Sequence, residues 1–324
     1  MKRRKFINNL LWGSAGISLP ISFNSCNLNY KKISFGICAD VHKDVIHDAN
    51  SRLAKFIQQA SDNLPDFIIQ MGDFCRPYDY NRNFLSIWNS YEGEKHHVIG
   101  NHDMDGGFSR QEVIEFWDSP SQYYSFGKNG YHFIVLDGND ENPSSDKASG
   151  YARFVGKEQI DWLASEIRTV KDRVIVFSHQ SLENVKGIEN SKQIRNILEE
   201  ENRLAGFNKI IACFSGHHHT DYAVSINGIY YIQVNSMSYK WLGEEYKTIR
   251  FSEEIEAQYP WIKFTVPYKD PLFAFIEISG QALTIRGEKS SFIEPGPEEL
   301  GITNQPENNP VVPFISNRKL SIGQ

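Results

Sequence analysis

Cysteine is scarce in this chain: four occur among 324 residues, and none stands in a C-x-x-C spacing. That scarcity excludes a small disulfide-stapled scaffold and a cysteine-ligated zinc finger. Cys38 and Cys213 lie inside apolar runs, which predicts that both are buried as small hydrophobic side chains. Cys75 is interpreted as a loop thiol without a ligand role.

An excess of basic residues is also missing, because the formal net charge is −6. A protein whose main partner is nucleic acid or an anionic membrane normally presents a basic face, so both partners are disfavoured. The apolar stretch near the N-terminus, Leu10 to Ile21, is too short and too often interrupted to span a bilayer. Hydrophobic residues make up 40% of the chain, which suffices for a sizeable core.

Residues 1–30 have the composition of an export signal. Arg3-Arg4-Lys5-Phe6-Ile7 resembles the twin-arginine signal R-R-x-F-L, whose route carries folded proteins. We therefore expect a leader that is removed after about 25 residues, and an exported bacterial protein that is periplasmic or anchored to a membrane. Cys26 follows the small Ser25, which leaves two outcomes open: a lipid on Cys26 that tethers the protein to a membrane, or simple cleavage.

Five short motifs carry the polar residues of interest, and each comes where an apolar, β-branched run ends. They are Asp40-Val41-His42, Gly72-Asp73, Gly100-Asn101-His102-Asp103, the single His179 and Gly216-His217-His218-His219. Strand ends are where open α/β sheets present ligands. Imidazole nitrogen together with carboxylate oxygen suits Mn, Fe and Zn, whereas Mg or Ca sites draw almost only on oxygen. The motifs therefore predict a site for two divalent metals, bridged by the Asp73 carboxylate.

In type and order these motifs resemble the calcineurin-like metallophosphoesterases, whose pattern is D-x-H, G-D, G-N-H-D or G-N-H-E, a lone His, then G-H-x-H. The resemblance covers residues 33–236. It implies an α/β fold, a four-layer α/β/β/α sandwich of two mixed β-sheets flanked by helices. It also implies that the first metal is held by Asp40, His42, Asp73 and His219, and the second by Asp73, Asn101, His179 and His217.

The same resemblance implies a chemistry. A hydroxide bridging the two metals would attack the phosphorus in line, and His102, oriented by Asp103, would protonate the departing oxygen as general acid. The substrate would be a small phosphomonoester or phosphodiester, with nucleotides among the candidates. Gly156, Gln159 and Trp162-Leu163 are similar to a pattern in bacterial phosphodiesterases and nucleotide-diphosphate phosphatases. The motifs set neither the substrate nor the oligomeric state.

Differences between the motifs of this chain and those of other metal-dependent hydrolases indicate which kinds of enzyme it does not resemble. Purple acid phosphatases have a Tyr where this chain has Arg76, which implies a colourless enzyme. Protein Ser/Thr phosphatases show G-D-x-x-D-R-G, which residues 72–78 do not match. Residues 217–221 formally match the H-x-H-x-D core of metallo-β-lactamase-fold hydrolases, but the final His of that motif is missing at Tyr222.

A second class of function stays open on this scaffold, a non-catalytic metal-bearing binding protein. Such proteins commonly lose ligands, and this chain keeps the whole set. Turnover of nitrophenyl phosphates with Mn²⁺ would separate the two classes.

Hydrophobic periodicity predicts the secondary structure around the motifs. Helices are expected over 51–63, after the capping box Ser109–Glu112, around 160–167 and from Ser191 onward. Two hairpins are expected, one turning at Asn227-Gly228 and one at residues 279–281.

The expected organisation is a leader over 1–30, a catalytic domain over 31–295 and a loosely structured tail over 296–324. Within the catalytic domain, residues 238–269 form an insertion dense in aromatic side chains. Two interpretations of this insertion are open: its rings belong to the core, or it is a lid whose rings stack on a flat leaving group.

Overall fold

The computed structural model describes residues 31–144, 150–303 and 309–323. The expected leader with Cys26 lies outside these ranges, so export and lipid attachment stay predictions. No described helix combines the length and the apolar character that crossing a membrane requires.

Two six-stranded mixed sheets and one two-stranded ribbon make up the β-structure of the described ranges. The strands are β1 Ile33–Cys38, β2 Phe67–Gln70, β3 Glu94–His97, β4 Tyr124–Lys128, β5 Tyr131–Leu136, β6 Arg173–Ser178, β7 Ile210–Ser215, β8 Tyr222–Ile226, β9 Ile229–Gln233, β10 Tyr239–Trp241, β11 Thr265–Pro267, β12 Ala274–Ser279, β13 Ala282–Gly287 and β14 Arg318–Ser321. The first sheet has the order β14-β13-β12-β1-β2-β3, the second β4-β5-β6-β7-β9-β8, and β10 pairs with β11. Strands β1, β2 and β3 are parallel neighbours, as are β5, β6, β7 and β9.

Side chains point alternately to the two faces of each sheet, and those on the two inner faces form the central core between the sheets. Phe35 and Ile37 of β1 share one fully buried cluster with Phe133 of β5 and Phe177 of β6, while Cys38 and Val176 belong to clusters on the outer faces. Each sheet therefore buries both faces, the inner one against the other sheet.

Helices cover the outer faces. They are α1 Ala49–Asn63, α2 Arg82–Asn89, α3 Arg110–Trp117, α4 Lys157–Thr169, α5 Ser191–Ala205 and α6 Glu253–Gln258. Helices α1, α2 and α3 contribute to the apolar cluster outside the first sheet, and α4 and α5 to the one outside the second. The expected four-layer α/β/β/α sandwich is therefore confirmed, and so is the capping box, in which Ser109 and Glu112 bond reciprocally at the start of α3.

The C-terminal region differs from its prediction. A loosely structured tail was expected from residue 296, yet β14 pairs antiparallel with β13 at the edge of the first sheet, and Ile315 and Ile322 are buried in the central core. Asp221 accepts hydrogen bonds from the Ser316 amide and from Arg318, which fasten the segment beside the metal motifs. This strand could not be predicted from the sequence, because it is short and its residues show no periodic apolar pattern.

Candidate metal centre

The structure brings the predicted ligands to one place, the carboxyl ends of parallel strands in both sheets. Asp40 and His42 follow β1, Asp73 follows β2, and residues 101–103 come shortly after β3. His179 follows β6, and the paired histidines follow β7. Hydrogen bonds join the loop after β1 in the first sheet to the loop after β7 in the second, because the amide of His217 donates to both carboxylate oxygens of Asp40 at 3.1 and 3.0 Å. Parallel strands place their carboxyl ends together, which is why distant motifs meet here.

One group of three ligand atoms comes from Asp40, His42 and His219, all within 4.8 Å of one another and all buried. His219 Nε2 lies 3.3 Å from Asp40 Oδ1, and His42 Nε2 lies 3.9 Å from the same oxygen. Ligands of one divalent ion, each about 2.0 to 2.2 Å from it, are separated by comparable distances.

A second group comes from Asp73, His179 and His217, again within 4.8 Å of one another. Asp73 Oδ2 lies 3.2 Å from His179 Nε2 and 3.5 Å from His42 Nε2, so this carboxylate stands between the two groups. That position is the one a bridging ligand needs.

Hydrogen bonds to the backbone orient two of the imidazoles. His179 Nδ1 lies 2.7 Å from the Met71 carbonyl oxygen, and His219 Nδ1 lies 2.8 Å from the Tyr239 carbonyl oxygen. A carbonyl only accepts, so Nδ1 carries the proton and Nε2 presents its lone pair to the centre. Such partners commonly fix the tautomer of metal-bound histidine.

The backbone is strained at the same residues. Nine non-glycine residues in the described ranges have a positive φ, and the ligand candidates account for five: Asp40, His42, Asp73, His217 and His219, with φ between 47° and 68°. Non-glycine residues rarely adopt this left-handed region, and such strain clusters at functional sites. Gly72, with φ 93°, lies where a Cβ would come within 2.6 Å of His179 Nδ1, so only glycine fits there.

Burial and charge define the protonation states. Burial lowers the pKa of His42 and of His217 well below the ordinary value, so both are neutral and have free lone pairs. Burial would also lower the pKa of His179, but Asp73 and Asp40 outweigh it and raise that pKa to about 10. Without a metal the two carboxylates thus favour a proton on Nε2 of His179, the atom whose lone pair a bound cation would use in place of that proton.

Several buried polar atoms have no hydrogen-bond partner among the described residues. These include His217 Nδ1 and both polar side-chain atoms of Asn101. Buried polar atoms without partners are costly, and they occur here on two of the predicted ligands. Nitrogen and oxygen donors left unpaired at one buried place fit divalent metal ions, and the chain therefore has a site suited to them.

His102 lies beside the ligand groups. Its ring centroid is 5.4 Å from that of His42, and its amide donates to Asp73 Oδ1. The side-chain partner is Asp105, whose Oδ2 lies 2.7 Å from His102 Nδ1. Burial would lower the pKa of His102, but the charges of Asp73 and Asp105 raise it above the ordinary value. This shift of the pKa favours the protonated form that a general acid requires.

The prediction that Asp103 orients His102 is corrected by this geometry. Asp103 is buried and accepts hydrogen bonds from the amides of Asp73, Phe74 and Gly100 at 2.7 to 2.9 Å. Its carboxylate therefore fastens the loop after β2 to the loop after β3. Sequence reasoning missed Asp105, although its i, i+3 spacing from His102 is the signal that could have found it.

A cavity of about 650 Å³ opens in front of the centre. Besides His102 and the ligands, its walls include charged and aromatic residues that the sequence did not assign: Arg76, Asp105, Tyr151, Lys186, Lys240, Trp241 and Trp261. Burial lowers the pKa of Lys240 to about 7, because the side chain is almost fully enclosed. His218, between the paired ligands, also lines the cavity, and its Nε2 lies 3.0 Å from Ser181 Oγ.

The rings of the aromatic insertion are divided between the core and the wall of the cavity. Tyr239, Phe264 and Tyr268 are buried, as core rings would be. Trp241 and Trp261 are 46% and 52% exposed and line the cavity. Three of its rings therefore belong to the core and its two tryptophans line the cavity, and a role as a lid stays a prediction.

Two facing mixed sheets with carboxylate and imidazole groups at their strand ends define a metal-dependent phosphoesterase. A family model described as calcineurin-like phosphoesterase matches residues 33–221, more than half of the chain. The chain belongs to this family, and it is a hydrolase that acts on ester bonds. No curated protein matches it significantly in sequence.

Solved structures show the same fold at low sequence identity. A dimetal phosphatase from Danio rerio aligns with a TM-score of 0.58 and 14% identity, over 81% of this chain and 98% of that one. GAP50, the anchor in the inner membrane complex of Plasmodium, aligns with a TM-score of 0.55 and 17% identity, over 90% of each chain. At such identities the likeness concerns the fold alone.

Proposed function

We propose that the protein is a dinuclear metal-dependent phosphoesterase, with a small phosphomonoester or phosphodiester as substrate. One observation carries the proposal: two groups of buried ligand atoms meet at the strand ends, with Asp73 between them. The Danio rerio protein of similar fold is a dimetal phosphatase, which agrees with two ions. Asp40, His42, Asp73 and His219 would hold one ion, and Asp73, Asn101, His179 and His217 the other.

Bound divalent ions would lower the pKa of a water nucleophile and neutralise charge on the phosphoryl oxygens. The chain's own contribution begins with orientation, because the carbonyls of Met71 and Tyr239 fix two histidine rings. His102 then donates its proton to the departing oxygen, and Asp105 holds its ring and stabilises its positive charge. Mn, Fe and Zn each suit this mixed donor set.

The alternative function, a non-catalytic binding protein, has one observation in its favour. GAP50 has a similar fold and is described as an anchor. Against it, this chain retains all the predicted ligands, and the raised pKa of His102 suits proton donation rather than binding.

The proposal is tested by metal-dependent turnover. Protein stripped with a chelator is reloaded with Mn²⁺, Fe²⁺ or Zn²⁺, and hydrolysis of p-nitrophenyl phosphate and bis-p-nitrophenyl phosphate is followed with metal content. We expect nitrophenol release only with metal, and two ions per chain. His217→Ala should lose one ion and the activity, whereas His132→Ala, which lies outside the site, should keep both. No turnover with any metal would leave the binding-protein alternative, and a single ion per chain would rule out the dinuclear centre.

A further inference from the structure

Asn139 lies just after β5, a strand that none of the predicted ligands follows, yet its side chain joins two of the loops that contain them. We infer that Asn139 is a positioning residue for one of the two metal ions, the one that Asn101 and His179 would hold. It acts through the backbone before Asn101 and through the residue after His179. This role rests on the proposed dinuclear centre and belongs to a residue outside the five ligand motifs.

The two contacts of Asn139 reach loops that come from different sheets. Its Nδ2 atom donates to the carbonyl oxygen of Ile99 at 3.1 Å, and its Oδ1 atom accepts from Gln180 Nε2 at 3.0 Å. Ile99 comes two residues before Asn101, in the loop after β3 of the first sheet. Gln180 directly follows His179, in the loop after β6 of the second sheet. One side chain therefore links the segments that present two ligands of the same ion.

The orientation of the Asn139 amide is fixed by its partners. A carbonyl oxygen only accepts, so the atom that faces Ile99 is the amide nitrogen, which also donates to Asp137 Oδ1 at 2.6 Å. The side chain is only 5% exposed, and its partner Gln180 is fully buried. Because both N–H groups and the oxygen are used, removal of this side chain would leave buried polar groups unpaired.

Asp137 fixes the position of the Asn139 side chain. Asp137 Oδ1 also accepts from the Asn139 amide at 3.1 Å, and its Oδ2 pairs with Arg110 Nε, at the start of α3, at 2.9 Å. The Gln159 side chain in α4 bonds the amide and the carbonyl of Asp137 at 2.9 and 2.8 Å. Asn139 is thus held through Asp137 by one helix from each outer layer, which is the rigid support that a positioning group needs.

Asn101 depends most on such support among the residues of this ion. Neither polar atom of its side chain has a hydrogen-bond partner among the described residues, so no such contact of its own fixes it. Its position follows from the backbone of its loop, where the Ile99 carbonyl bonds Asn139 and the Gly100 amide bonds Asp103. Groups that orient metal ligands in this indirect way typically change metal affinity by about 10 to 100 times when they are replaced.

Asn202 in α5 offers a matched comparison for a purely structural role. It is also a buried asparagine, 9% exposed, and its side chain bonds the carbonyl and the amide of Ile210 at 3.0 and 2.7 Å. Ile210 is the first residue of β7, whereas the paired histidines follow the last residue of that strand. Removal of the Asn202 side chain should therefore lower folding stability without changing the metal centre.

The test measures metal binding rather than activity. Chelator-treated wild type, Asn139→Ala and Asn202→Ala are titrated with Mn²⁺, and free Mn²⁺ is followed by electron paramagnetic resonance. We expect the wild type and Asn202→Ala to bind two ions with the same affinities. Asn139→Ala should bind one ion as tightly as the wild type and the other about 10 to 100 times more weakly. The Tm of each metal-free variant measures the stability that it has lost.

Anomalous scattering from crystals of Mn²⁺-loaded protein identifies the weakened site. In Asn139→Ala the Mn²⁺ occupancy should fall at the ligand group that contains His179 and stay full at the group that contains His42. Equal loss at both groups, or loss only at the group of His42, overturns the inference.

Gln180→Ala keeps the role testable if Asn139→Ala does not fold. Gln180 Nε2 bonds Asn139, and Gln180 Oε1 has no partner among the described residues, so the truncation breaks one side-chain hydrogen bond. It should weaken the same ion by about threefold to tenfold, the size of one such bond. If only this variant folds and both of its affinities equal those of the wild type, the inference is overturned.

The outcomes separate this role from the proposed function. If Asn139→Ala binds both ions as well as the wild type, or if Asn202→Ala weakens the same ion equally, the positioning role is overturned and the dinuclear centre stands. If the wild type itself binds a single ion, the dinuclear centre and the role of Asn139 fail together. If two ions bind but no phosphoester is hydrolysed, only the proposed activity fails, and the affinities still decide the role of Asn139.

Discussion

His42 Nε2 lies 3.1 Å from His219 Nε2, although the two residues are 177 positions apart. The Nδ1 atom of His219 already donates to the Tyr239 carbonyl, so its Nε2 presents a lone pair. Burial lowers the pKa of His42 well below its ordinary value, which favours its neutral form. Two imidazole nitrogens approach this closely when a cation or a shared proton lies near both, and Asp40 supplies the balancing charge.

Metal loading should therefore stabilise the fold. Adding Mn²⁺ to chelator-treated protein at about 100 times its Kd should raise the free energy of unfolding by about 2.7 kcal/mol, seen as a higher Tm by calorimetry. Asp73→Asn should lose most of that rise. Asp118→Asn is the control, because Asp118 also has a positive φ but lies outside the site. An equal rise in both variants would contradict the ligand role of Asp73.

Replacing His102 should separate chemistry from metal binding. His102→Ala should retain both ions and lose about 10² to 10⁴ in kcat on alkyl phosphates, whose leaving oxygen needs a proton. The loss should be smaller on p-nitrophenyl phosphate, because nitrophenolate departs without one. The measurement is kcat against leaving-group pKa. A slope unchanged from that of the wild type would show that His102 is not the acid.

Asp105 and Asp103 should have distinct effects. Asp105→Asn removes a charge that raises the pKa of His102, so the loss of kcat with rising pH should move to lower pH. Asp103→Asn should leave the pH at which kcat falls unchanged but should lower Tm. An asparagine side chain has one acceptor oxygen instead of two, so it cannot accept all the hydrogen bonds that the backbone amides donate to Asp103. Identical pH profiles for Asp105→Asn and the wild type would show that a group other than Asp105 orients His102.

His97 should make folding stability depend on pH. It is buried between Trp88 and Trp117, and burial lowers its pKa to about 3. The unfolded chain binds this proton near pH 6.5, so the contribution of His97 is complete above that pH and is lost as pH falls from 6.5 toward 3. Between pH 7 and pH 5 the loss should be about 2 kcal/mol.

Urea unfolding of the metal-free protein at both pH values measures this difference. His97→Phe should reduce the loss by that amount, and the exposed control Lys171→Gln should not. The same loss in His97→Phe and the wild type would assign the pH dependence to other buried groups.

Export stays a prediction from residues 1–30. Arg3→Lys combined with Arg4→Lys keeps the charge but removes the paired guanidinium groups, so it should block export without changing activity, as fractionation would show. Unchanged export would indicate the general secretory route instead. Cys26→Ser should release the protein from the membrane fraction if Cys26 carries a lipid.

The ligand motifs could be predicted from the sequence because parallel strands have their carboxyl ends at the same edge of a sheet. Residues that follow such strands therefore lie close together even when they are far apart in the sequence. Asp105 was missed, because its i, i+3 spacing from His102 indicates a contact only where the loop after Asn101 forms a helical turn, as His102–Met104 does. The pairing of β14 with β13 could not be predicted either, because the strand has four residues without periodicity and is held in part by hydrogen bonds from Ser316 and Arg318 to the distant Asp221. Long-range contacts of short segments leave little local signal.

The left-handed backbone at the five ligand residues has an evolutionary consequence. Each such residue costs about 1 kcal/mol or more, and glycine would relieve it. A laboratory selection for heat resistance in metal-free medium would therefore favour glycine at His42 and His217 first, because the side chains of Asp40, Asp73 and His219 also hydrogen-bond backbone groups. The most heat-resistant variants from that selection would be inactive, whereas a selection for heat resistance with metal supplied would retain the ligand side chains.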